Sequence, residues 1–184
     1  EEQEKFNMFA ALMNLESKFG DDDSQRKLFN RAVQYCEAKD VYLQQAKIYE
    51  QNGDHDKVAS TYQKMMKKFF QSRKPYEAYQ QYLLCNGKQY KKANEVLERG
   101  LKNLPKKKHL KAISKFALLH YRYGSIIDGN QIFEQLVANY PKRTDIWSLY
   151  INAELSAKRF DQVRNIYERV VTINLSTKKM QSYL

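Results

Sequence analysis

The sequence has few cysteines, prolines and glycines: two, three and six among 184 residues, with a single tryptophan. Cys36 and Cys85 are far apart and form no C-x-x-C pair, which excludes a disulfide-rich scaffold and a cysteine metal site of ordinary spacing. We expect both to be reduced, half-buried thiols of an intracellular protein, a disulfide between them being the alternative. The prolines and glycines are too few for a loop-rich chain. They fall mostly between periodic apolar segments, which leaves a nearly all-helical fold. No apolar run approaches the roughly 18 residues of a membrane span, so no membrane partner is expected. Catalytic motifs are missing as well. Gly87-Lys88 lacks the glycine spacing of a phosphate loop, no nucleophile elbow occurs, and His55, His109 and His120 have no partner at metal-ligand spacing. The reading is of a chain that is not an enzyme, with no cofactor, no metal and no small-molecule substrate.

What the chain does contain is a repeat. Phe29, Tyr62, Leu97, Phe133 and Tyr167 are separated by 33, 35, 36 and 34 positions, and similar neighbours surround each. Four residues earlier stands a small or β-branched residue in four copies: Val58, Ala93, Gly129 and Val163. Such residues mark where two helices must approach closely. A period of this length points to an α-solenoid of helix pairs, whose usual business is binding.

Helical spacing and stop signals place five pairs. The first covers residues 6–38, as Phe6–Phe19 and Gln25–Ala38, with Phe9, Leu12, Met13 and Phe19 as an apolar stripe and Ser24 as the cap of the second helix. The second covers 40–70, broken at Gly53. The third covers 75–104, with Pro75 in a first turn, Gly87 as the break and Pro105 at the close. The fourth covers 107–140, broken at Gly124 and followed by Pro141. The fifth covers 145–173, and residues 176–184 read as the start of a sixth helix. The expectation is a fragment of one longer solenoid, spanning 1–184, whose uncovered ends invite self-association.

Charge is unevenly placed. Residues 1–60 carry 8 basic and 12 acidic side chains, whereas 61–184 carry 24 and 9. The basic excess gathers in the turns between pairs: Arg73 and Lys74, then Lys106, Lys107 and Lys108, then Lys142 and Arg143, then Lys178 and Lys179. Equivalent turns of a solenoid stack along one edge, so these nine residues are expected to form a ridge for RNA phosphates or an acidic partner. Solvated lysines on exposed turns are the plainer alternative. Turns of the other edge are acidic, as in Asp21-Asp22-Asp23 and Asp54-His55-Asp56. Tyr76, Tyr79 and Tyr82, spaced at three, offer a docking anchor for a protein partner, set against ordinary packing between repeats.

Trp147 and Glu154, seven apart and followed by Ile166-Tyr167-Glu168-Arg169-Val170, resemble half-a-tetratricopeptide (HAT) repeats. Phe9 and Glu16 keep the same spacing, while Ile113 and His120 stand in those places in the fourth pair. The segments 9–16, 31–35, 115–119, 140–147 and 166–180 further resemble the C-terminal HAT region of the ribosomal RNA processing protein 5 family. The resemblance runs along essentially the whole chain. It implies a nucleolar scaffold of ribosome assembly whose other domains are RNA-binding OB-folds absent here. It also implies partners among ribosome-assembly proteins and pre-ribosomal RNA, and a role in the small-subunit processome. The fold expected is all-α, a right-handed solenoid of about five HAT pairs. The alternative is a protein–protein adaptor of messenger-RNA splicing or 3′-end processing, on the same fold.

Overall fold

The computed structural model describes residues 2–173. The expected helix at 176–184, with Lys178 and Lys179, lies outside them. The described residues form ten helices and no strand: α1 Glu2–Phe19, α2 Asp22–Tyr35, α3 Ala38–Gln51, α4 His55–Lys68, α5 Lys74–Cys85, α6 Tyr90–Asn103, α7 Lys106–Tyr123, α8 Ile126–Asn139, α9 Thr144–Ser156 and α10 Phe160–Thr172. These are the five pairs read from the period, with most ends within a residue or two of the expected ones.

The clearest difference is at α2. The cap is Asp21, whose carboxylate accepts from the Ser24 backbone N–H at 2.7 Å, so the helix begins three residues before the expected start. Ser24 instead turns its hydroxyl to Glu16 at 2.8 Å. An aspartate outcompetes a serine there because its full charge meets the positive end of the helix dipole. Glycine shapes two of the turns within pairs, while in the fifth pair Lys158 takes the positive φ, at 58°. Gly53 and Gly87 adopt φ of 77° and 102°, a region closed to most side chains. Pro75 sits in the first turn of α5, where its missing N–H costs nothing.

The chain divides between Tyr79 and Gln80, inside α5, into two compact units. In the first, Met13, Ala32, Val41 and Ile48 form a buried centre flanked by Phe6, Phe9, Leu28 and Phe29. Cys36 packs at its side, Cys85 is exposed, and no disulfide joins them. The expected α1 stripe splits between two faces. Phe9 and Met13 turn inward, while Leu12 and Phe19 join Met8 and Leu15 on an outer face, each between 42% and 81% exposed. Helical geometry explains this, since residues 8, 12, 15 and 19 repeat at four and three and so share one side.

The second unit buries Phe133 against Tyr150, the rings stacked at 5.2 Å, with Leu136, Ile146, Trp147 and Ile166 around them. Gly129 lies where α8 meets α7 most closely. A Cβ there would stand 2.6 Å from the Tyr121 ring and 3.0 Å from the Ala117 carbonyl. Alanine gains up to about 1 kcal/mol of helix propensity over glycine, but the ring must move and the backbone carbonyl cannot. We expect Gly129→Ala to destabilise by about 1–3 kcal/mol, measured as a drop in the denaturation midpoint. An unchanged or higher midpoint would refute the close approach.

Candidate functional site

The basic positions fall in both units. In the first, the Arg73 guanidinium pairs with Glu77 at 2.7 Å and the Lys74 ammonium with Asp40 at 3.1 Å. Both cations are therefore neutralised within the fold. In the second, Lys106, Lys107 and Lys108 open α7 and Lys142 and Arg143 precede α9. These clusters lie at the same end of the unit. Tyr121, near the end of α7, bonds Glu154, near the end of α9, and Leu110 and Ile113, nearer the start of α7, pack against the core cluster that holds Ile146 and Trp147 at the start of α9, so the two helices run parallel.

At that end Arg143 is held by Asp145 through two hydrogen bonds of 2.9 and 2.8 Å. The guanidinium holds the Asp145 carboxyl below the usual carboxylate range, and the carboxylate raises Arg143 in return. Lys108 is half-buried. Lys106, Lys107 and Lys142 are exposed and form no ion pair with any described residue. The α7 terminus has Pro105 as its cap, no side-chain acceptor for its first N–H groups and no carboxylate in its first turn. Its partial positive charge adds to that of the lysines.

The three tyrosines are not docking anchors. Tyr76, Tyr79 and Tyr82 are 3%, 8% and 6% exposed. Tyr79 stacks on Tyr62 at 5.0 Å, and the Tyr76 hydroxyl donates to the Phe70 carbonyl at 3.1 Å. They pack as core residues, the alternative weighed above, because each ring buries more area inside than a free surface would leave it.

A polar chain runs through the second unit. Glu154, fully buried, accepts from the Tyr121 hydroxyl at 2.6 Å and the Asn130 amide at 2.7 Å through Oε1. Its Oε2 lies 3.3 Å from Arg159 Nε but receives no hydrogen bond, an ion pair of imperfect alignment. Asn130 also donates to the Tyr150 hydroxyl at 2.7 Å, and Tyr150 donates to Glu134 at 2.8 Å. Arg169 donates to that same Glu134 oxygen at 2.7 Å and lies over the Trp147 ring at 5.3 Å. Trp147 in turn donates to the Pro141 carbonyl at 2.8 Å. Burial first, then the neighbouring carboxylates, pushes the Tyr121 and Tyr150 phenols far above their ordinary value. Arg169 holds the Glu134 carboxyl low.

The preceding proline, the tryptophan, the acid seven residues on and the arginine of the next helix are thus one structural unit. The family model described as PRP39 N-terminal HAT repeat matches residues 38–183. The chain belongs to the HAT-repeat family. It is also 39% identical over its full length to the human Protein RRP5 homolog, and covers 10% of that protein. The rRNA biogenesis protein rrp5 of Schizosaccharomyces pombe is 40% identical over 97% of this chain and 10% of its own. That of Arabidopsis thaliana is 38% identical over 98% of this chain and 9% of its own. The chain therefore spans about a tenth of the length of these relatives.

Set in HAT register, one polar position recurs that the sequence reading saw only in part: Glu16, Asn52, Asn86, His120 and Glu154, spaced by 36, 34, 34 and 34. Asn52 donates to Ser17 at 2.7 Å, tying pair two to pair one as Glu154 ties pair five to pair four. Glu16 bonds Ser24 within its own pair, and His120 makes no such tie. It is buried beneath Tyr90 and against Phe116, with neither ring nitrogen bonded and the Asp128 carboxylate 3.9 Å away. Burial lowers its pKa below 6.5, outweighing the opposing pull of Asp128. Above pH 6.5 it is neutral folded or unfolded. Below that, the unfolded chain takes up a proton that the native state resists, so stability falls. We expect His120→Phe to flatten the loss of thermal stability between about pH 6.5 and 5. An unaltered pH dependence in that variant would refute this assignment.

Among the described residues, no group of three or more His, Cys, Asp or Glu side chains is placed to hold a metal ion. No helix there is long and apolar enough to cross a membrane.

Proposed function

We propose that the chain is a non-catalytic HAT scaffold of ribosome biogenesis, working in the nucleolus. It supports pre-rRNA processing and small-subunit processome assembly by docking assembly proteins. One observation carries this reading: the full-length likeness to RRP5 proteins, two of them named for rRNA biogenesis. The lysines at the starts of α7 and α9 add a contact to the phosphate backbone of pre-ribosomal RNA. What supports that contact is the set of Lys106, Lys107 and Lys142, paired with no carboxylate among the described residues, beside the start of α7, which no side chain caps. Arg73, Lys74 and Arg143 contribute less, since each would have to leave a carboxylate.

The test is fluorescence anisotropy with single-stranded pre-rRNA segments across a salt series. Three phosphate contacts at about 0.7 each predict a slope of log affinity against log salt near −2. Reversing Lys106, Lys107 and Lys142 to glutamate abolishes the binding. A flat salt dependence, or indifference to those reversals, removes the RNA contact and leaves a protein-docking scaffold.

A further inference from the structure

The end of the second unit opposite Lys106, Lys107 and Lys142 carries a different surface. Tyr90 at the start of α6 stacks on His120 at 5.9 Å, and the Asp128 carboxylate in the first turn of α8 lies 3.9 Å from that histidine. Arg159, just before α10, meets Glu154 at 3.3 Å. The ends of α7 and α9 and the starts of α6, α8 and α10 therefore share this end. At 1.5 Å per residue, the 18 residues of α7 set it about 27 Å from the lysines at the start of that helix. Large apolar side chains are exposed here: Tyr123 by 39%, Ile126 by 36%, Ile127 by 68% and Phe160 by 58%. The first three are neighbours across the turn that joins α7 to α8. At the same end Lys91 and Lys92 on α6, Arg122 on α7 and Lys158 before α10 are exposed and form no ion pair with any described residue. The carboxylates nearby are committed. Asp128 faces His120, Glu154 is buried, and Asp161 lies 3.6 Å from Arg164. Neither the first turn of α6 nor any position of α7 holds an aspartate or glutamate, and Glu95, a turn further along α6, pairs with neither lysine.

We propose that this end of the unit docks a segment of a protein partner in which apolar and acidic side chains stand side by side. The apolar residues of the segment cover Tyr123, Ile127 and Phe160, and its carboxylates meet Lys91, Lys92 and Arg122. An apolar centre within a charged rim is the anatomy of a protein interface. The sign of the rim selects the partner, since a basic segment would bring like charges together. A nucleic-acid strand would meet the cations, but Ile126 and Ile127 give a base no ring on which to stack. Burying these two side chains is favourable only against other apolar groups, which a protein supplies and a phosphate chain does not. The surface is an edge made of helix ends, not a groove between pairs. The two ends of α7 thus face different partners, with lysines alone at its start and lysines around apolar side chains at its finish.

This proposal rests on the protein-docking part of the function above and gives it a place and a partner chemistry. The probes are two labelled synthetic peptides, one of leucine, phenylalanine and glutamate, the other with lysine in place of each glutamate. Each is titrated with the chain by fluorescence anisotropy. The glutamate peptide binds in preference. Ile127→Asp weakens it about tenfold, and Lys92→Glu combined with Arg122→Glu shifts preference to the lysine peptide. All three side chains are exposed, so melting stays as in the parent. Reversing Lys106, Lys107 and Lys142 leaves the glutamate peptide bound, because those lysines stand at the other end. Equal affinity for the two peptides, indifference to the substitutions, or loss on reversing the far lysines overturns the proposal. So does displacement by a single-stranded oligouridylate, which would make this end a nucleic-acid site. Ribosome-assembly proteins that bind equally well after Ile127→Asp, Lys92→Glu and Arg122→Glu together would also overturn it, while leaving the scaffold reading in place. That reading falls separately if the parent chain binds none of them.

Discussion

Replacing Trp147 with alanine is expected to destabilise the second unit by about 4 kcal/mol, near the upper end for a single core truncation. The ring is almost fully buried among Phe133, Ile146, Ile166 and Val170. Truncation opens a large cavity in that layer. It also frees the Pro141 carbonyl from its hydrogen bond and removes the face over which Arg169 lies. Hydrogen exchange of the α8, α9 and α10 amides reads the loss directly. Trp147→Phe separates the two contributions, keeping much of the volume while losing the N–H, and should cost about 1–2 kcal/mol. If alanine and phenylalanine cost the same, the hydrogen bond rather than the cavity dominates, and the packing account fails.

The second large effect is at Glu154. Leucine there is expected to cost about 3–5 kcal/mol, because it removes the acceptor that Tyr121 and Asn130 share. The gain from a larger apolar side chain is about 1–2 kcal/mol and does not offset buried donors left without partners. Glutamine keeps an acceptor oxygen and loses only the ill-aligned pairing with Arg159, so it costs far less. Adding Tyr121→Phe to the leucine variant should recover part of the loss, the mark of a coupled pair. Ultraviolet titration gives an independent reading. In Glu154→Gln the Tyr121 phenol ionises at lower pH than in the parent, since one of the causes holding it neutral is the carboxylate. Were leucine tolerated as well as glutamine, the buried acid would not organise the repeat junction.

Much of this architecture was legible in one dimension. The spacing of large apolar residues located all five helix pairs, and Gly129 announced a close approach that the Tyr121 ring confirms. The Trp147–Glu154 spacing marked the junction, though not its partners, because Tyr121 and Asn130 lie on other helices. The basic ridge was harder to judge. Arg73 with Glu77 is an i,i+4 pair that the sequence displays openly, but Lys74 with Asp40 spans 34 residues. A count of charges at turns cannot show which cations are spent on carboxylates. Spacing at three was equally silent about Tyr76, Tyr79 and Tyr82. Such residues drift by 60° per step around a helix, so the pattern does not say whether a neighbour covers them.

The division of the chain inside α5 limits how separately its halves can melt. The helix has 12 residues, and the boundary leaves six on either side. Six residues form barely a turn and a half, too few to hold helical hydrogen bonds without tertiary support. Unfolding of either unit therefore strips its neighbour of the end of a shared helix, and the cost of that fraying is charged to both.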